Sequence, residues 1–106
     1  MSYCLRKKDF MRPSEALPQH RETIRQLVLE AGMANPRVFG SVLRGDDTES
    51  SDLDILIDPA PRTSLLDLAG LQIEIEVRTG VKVDLLTPNC LPEKFRQKVL
   101  EEAQPV

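Results

Sequence analysis

Apolar positions recur at three- and four-residue intervals early in the chain. Ile24, Leu27, Val28 and Ala31 form a stripe that ends at Gly32, the spacing of one face of an α-helix. Ser14, Leu17 and Pro18 lead into it, with Pro18 read as a first-turn position where its missing N–H is harmless. Asn35-Pro36 halts any continuation, and Arg37-Val38-Phe39 is a very short apolar run that ends at Gly40, as a strand entering a turn does. The period then changes to two. In Asp52-Leu53-Asp54-Ile55-Leu56-Ile57-Asp58, Leu53, Ile55 and Ile57 take one face and Asp52, Asp54, Leu56 and Asp58 the other, which predicts a strand that Pro59 and Pro61 end.

The segment from Ser64 to Arg78 fits two periods at once. Leu65, Leu68, Ala69 and Gln72 suit a helix capped by Thr63 or Ser64, while Leu71 to Val77 alternates as a strand would. A helix closed by Gly80 is the expectation. Val81, Val83 and Leu85 alternate with Lys82, Asp84 and Leu86 in a further strand ended by Thr87-Pro88. Pro92 opens a last helix, with Phe95, Val99 and Ala103 on one face; Leu91, Phe95 and Val99 are candidates for core or for partner contact, with the core as the expectation. The order is helix, strand, loop, strand, helix, strand, helix. The first 13 residues show no periodicity and read as a loose tail, leaving 14–106 as the folded domain; Met11 could be the natural start.

Composition narrows the function classes. One hundred and six residues, 41% of them hydrophobic, suffice for one core and leave no room for a second domain. Two cysteines and one histidine make neither a disulfide framework nor a zinc site, which suits a cytoplasmic protein. No apolar run is long enough to span a bilayer, so no membrane association is expected. A net charge of -3 and four aromatic residues argue against direct binding of nucleic acid.

The chemistry gathers between Gly40 and Asp84. Residues two apart on a strand share a face, so Asp52 and Asp54 present carboxylates with Cβ atoms roughly 6 to 7 Å apart. Acids so close repel unless a cation lies between them, and an all-oxygen set suits a hard divalent ion. Asp84 completes a cluster of three if the two strands pair. Each acid alone is ordinary, but strands are depleted in aspartate, and several on one face call for a purpose. Gly40-Ser41, between a short strand and a turn of helix, offers free N–H groups and a hydroxyl to a phosphate, with Arg44 as a bidentate donor.

Gly40-Ser41, ten further residues, then Asp52-Leu53-Asp54-Ile55, and later Asp84 in Val-Asp-Leu-Leu, together resemble the signature of the polymerase-beta-like nucleotidyltransferase superfamily. Within it the chain looks most like the minimal nucleotidyltransferases, the antitoxins paired with HEPN-domain toxins. Val42-Leu43 is more apolar than that pattern leads one to expect. The resemblance implies an α/β (α+β) fold, a small mixed sheet flanked by helices, holding two magnesium ions and a nucleoside triphosphate. It implies that Asp52, Asp54 and Asp84 are catalytic and bind metal, and that Gly40, Ser41 and Arg44 hold the nucleotide. The implied activity is transfer of AMP from ATP to a hydroxyl, on a tyrosine, of the partner HEPN toxin. Two alternatives stay open: a small-molecule nucleotidyltransferase, which needs a further helical domain for its acceptor, and a non-catalytic antitoxin that masks the toxin by binding.

Overall fold

The computed structural model describes residues 12–48 and 50–106; the expected tail up to Met11 lies outside the described residues. Helix α1 spans Pro13–Glu30. It starts one residue before Ser14, so Pro13 takes the first-turn position and Pro18 lies inside the helix. The Glu15 carboxylate closes its first turn by accepting the Arg12 N–H at 3.0 Å. Gly32, at φ 78°, ends the helical run as expected.

Strand β1 covers Ala34–Phe39 and runs through Asn35-Pro36, which were expected to stand outside it. The pair is accommodated as an irregularity: Asn35 adopts φ 58°, and the register with the next strand shifts between Ala34 and Arg37. A single turn of helix, α2 (Ser41–Arg44), follows Gly40, and β2 spans Leu53–Asp58. The ambiguous segment is helix α3, Leu65–Thr79. Ser64 Oγ accepts the Asp67 N–H at 3.2 Å and Asp67 Oδ2 accepts the Ser64 N–H at 2.9 Å, a reciprocal cap, and Gly80 closes the other end at φ 76°. Strand β3 is Val83–Leu86, starting later than Val81, because the Val81 N–H turns back to Thr79 Oγ1. A 3-10 turn, Pro88–Cys90, precedes α4 (Glu93–Glu102), and a two-residue strand β4, Gln104–Pro105, was not foreseen.

The sheet order is β3-β2-β1-β4, with β2 and β3 parallel and both other pairs antiparallel. This is the mixed sheet flanked by helices that the family resemblance implied. Helices α1 and α3 share one core with the sheet: Ile24 and Val28 meet Val38, Leu53, Ile55 and Ile57, with Leu71, Ile75, Val83 and Leu85 completing it. Val42 joins this core, which accounts for its apolar character in the turn.

The last helix corrects the sequence reading. Leu91 is buried as expected, but α4 buries no residue, and Phe95 is 55% exposed. The Arg96 guanidinium ties it to the turn just before it, donating to Pro88 O at 2.9 Å and Leu91 O at 3.1 Å. Among the described residues, no helix is long and apolar enough to cross a membrane.

Candidate functional site

Register decides what faces what. Val38, Ile55 and Leu85 lie side by side across β1, β2 and β3 and point into the core. One step along, Phe39, Asp54 and Asp84 are neighbours and point to the opposite face by the alternation of strands. Asp54 and Asp84 therefore stand on adjacent parallel strands, away from α1 and α3. Asp52, exposed and one residue short of β2, reaches the same group from the strand's start.

The electrostatics record this crowding. The Asp54 carboxyl is pushed from 3.8 up to about 6, first by burial, then by the negative charges of Asp84 and Asp52, with Arg44 opposing. Arg44 is near enough for its charge to act on Asp54, although its exposed side chain also pairs with Asp46 at 3.5 Å. The fourth acid, Asp58, belongs elsewhere. It sits at the far end of β2, where Arg37 donates to it at 2.6 Å and Asn35 at 3.1 Å, so its place on the acidic face is structural.

Gly40 is fixed by two independent constraints. Its φ of 81° and ψ of -150° belong to a region essentially closed to other residues, and a Cβ there would overlap Asp54 Oδ2. The backbone of the turn therefore lies against the Asp54 carboxylate. Gly40 O accepts the N–H groups of Leu43 and Arg44, at 3.1 and 3.2 Å, which leaves the first N–H groups of α2, beginning with Ser41, without an intrahelical partner.

Two side chains that sequence reasoning missed hold Asp84 in place. β3 is an edge strand, and its outward N–H groups on either side of Asp84 are satisfied by α3: Val83 N–H donates to Glu76 Oε2 at 2.9 Å and Leu85 N–H to Gln72 Oε1 at 3.1 Å. Nothing in a linear pattern marks these residues, because their role depends on α3 lying along the sheet edge. Asp47 was missed as well. It is buried, and its Oδ2 accepts the Ser14 N–H at 2.9 Å, tying the loop after α2 to the start of α1.

The donor set of Asp52, Asp54 and Asp84 is all oxygen and mutually repelling, which fits a hard divalent cation. Among the described residues, no group of three such side chains, Asp52, Asp54 and Asp84 included, stands close enough together to hold a metal ion by itself.

The nucleotidyltransferase domain profile matches residues 17–106. A Methanocaldococcus jannaschii protein to which protein adenylyltransferase activity is ascribed is 38% identical over 77 residues, covering 73% of this chain and 83% of that protein. The protein adenylyltransferase MntA of Thermococcus cleftensis is 35% identical over 86 residues, 81% of this chain and 84% of its own. A solved structure assigned as a minimal nucleotidyltransferase superposes with a TM-score of 0.79 at 40% identity, over 88% of this chain and 95% of that one. A toxin–antitoxin structure with AMP-PNP shares the fold at a TM-score of 0.69 and 20% identity, over 80% of this chain and 70% of that one.

Proposed function

The chain belongs to the nucleotidyltransferase domain family and is a nucleotidyltransferase; from this premise we propose that it transfers AMP from ATP to a tyrosine hydroxyl of a partner HEPN toxin and so acts as its antitoxin. The observation that carries the reading is the pairing of Asp54 with Asp84 across parallel strands, beside a glycine turn that touches Asp54. The relatives named as protein adenylyltransferases support a protein as the acceptor.

Gly40 and Ser41 hold the triphosphate through the backbone N–H groups and hydroxyl of the turn, and Arg44 adds a charged donor. The acceptor hydroxyl attacks the α-phosphorus in line. Its oxygen forms the new bond to phosphorus, the bond from phosphorus to the bridging oxygen breaks, and pyrophosphate leaves. Asp84 takes the hydroxyl proton as the bond forms. Asp52, Asp54 and Asp84 would hold two magnesium ions, which supply charge neutralisation between the phosphate oxygens. Asp54 and Asp84, both half-buried, keep that charge on one face of the sheet, where it is less screened than in water.

The test is to mix wild type or Asp84→Ala with ATP, magnesium and the product of the adjacent gene, then weigh the partner by intact-mass spectrometry. A gain of one or more AMP units with wild type alone supports transfer. Neutralisation of the toxin by Asp84→Ala as complete as by wild type, with no mass gain in either, overturns it in favour of masking.

A further inference from the structure

The alternation of Leu71, Ile73, Ile75 and Val77 made this segment look like a strand, and in the helix it has a different meaning. Leu71 and Ile75 are buried in the core, whereas Ile73 and Val77 are 58% and 73% exposed. With Leu66, 83% exposed, and exposed Gly70, they form an outward stripe at intervals of four, three and four residues. A helix apolar on two opposed faces is the kind that is buried on both, and this spacing is that of a seam between helices packed side by side. Gly70 sits in the seam with open space where a side chain would stand, room for a side chain of another helix.

Charge along the flanks says what covers it. Beside the seam, a groove of about 450 Å³ between α1 and α3 is lined by three acids, Glu30, Asp67 and Glu74, and one base, Arg78, together with Leu66 and Gly70. Glu76, whose Oε2 accepts the Val83 N–H, stands on the seam's other side. Arg78 and Glu74 pair with each other at 3.4 Å, which leaves Glu30, Asp67 and Glu76 as the uncompensated charges along the flanks, all acidic. Two copies joined through this stripe would bring their acidic flanks together, which is unfavourable.

We propose that the outer face of α3 docks an α-helix of a partner protein whose apolar seam is flanked by lysine or arginine. The face lies on the side of the sheet opposite Asp54 and Asp84, so docking leaves the carboxylates open. The proposal stands apart from the identity of the AMP acceptor.

The test uses the full chain and two labelled three-heptad peptides with leucine at the seam positions, one with lysine and one with glutamate on both flanks, followed by fluorescence anisotropy. The lysine peptide is expected to bind at least about tenfold more tightly than the glutamate peptide, and Ile73→Lys or Leu66→Lys to weaken it at least about tenfold. Both variants change exposed side chains, and circular dichroism should show their helicity and Tm unchanged. Equal binding of the two peptides, binding of neither, or no loss in the variants overturns the proposal. A wild-type dimer in sedimentation velocity that Ile73→Lys dissolves assigns the face to a second copy instead. Tighter peptide binding once residues 1–11, which carry Arg6, Lys7 and Lys8, are removed assigns it to the chain's own N-terminal segment.

Discussion

Asp54 carries the largest perturbation in the site, and its sign makes it testable without any partner. Because its folded-state pKa is raised from 3.8 to about 6, the native state holds a proton that the unfolded chain has released between those values. Stability contributed by this group is therefore present at low pH and lost as pH rises from about 4 through about 6. In metal-free buffer, Asp54→Asn should remove that loss and stabilise the protein at pH 7 by about 1 kcal/mol, after allowance for solvent screening of a half-exposed group, while abolishing transfer. Urea titrations at pH 4.5 and 7 check this; a variant less stable than wild type at pH 7 would contradict the repelling cluster. At the turn, Gly40→Ala must adopt a disfavoured φ and displace the Asp54 carboxylate. It should cost about 1–3 kcal/mol of stability and most of the activity, whereas Gly45→Ala, strained in φ but with nothing nearby, should retain more of it. The glycine and the three acids were legible as a spaced pattern. The overlap of Gly40 with Asp54 was not, since it depends on β1 and β2 pairing antiparallel.

Strand β3 lies at one edge of the sheet, with a parallel neighbour on one side and two side chains of α3 on the other. Gln72→Ala or Glu76→Ala leaves one strand N–H without its partner, at a cost of about 1–2 kcal/mol each. The expected signature is faster amide exchange at Leu85 or Val83 respectively, together with a lower kcat as Asp84 loses its fixed position. Unchanged exchange at both amides would show that the strand holds its register without them. Helix α3 also shows where a periodic reading reaches its limit. Leu71 to Val77 alternates because successive pairs point inward and outward around a helix, and only the cap residues Ser64 and Gly80 broke the tie in the sequence. In α4 the apolar stripe misled, because the residues buried at its two ends are Leu91 before it and Val106 after it, while Phe95 stays exposed.

Across the whole molecule, the surface proposed to take the nucleotide and its metal exists only when β1, β2 and β3 are assembled. Magnesium and ATP together should therefore raise the Tm by several degrees, since binding to the folded state alone stabilises it by about 2.7 kcal/mol at a hundredfold excess over Kd. An Asp52→Ala/Asp54→Ala double variant should show no such rise in differential scanning fluorimetry. An equal rise in both proteins would place the nucleotide elsewhere.

The sequence by itself determined the helices and strands that carry the acids, the alternation that sets Asp52 and Asp54 on one face, and the glycine turn before them. These are local matters, decided by side-chain period, capping and backbone conformation within a few residues. Only the tertiary structure decided that Asp84 stands beside Asp54, that Asp58 is spent on Arg37, that Gln72 and Glu76 close the sheet edge, and that Leu66, Ile73 and Val77 face outward while Leu71 and Ile75 do not. Those outcomes depend on strand order, register and the side of the sheet each helix covers. They join residues far apart in the chain, and no periodicity along the chain encodes them.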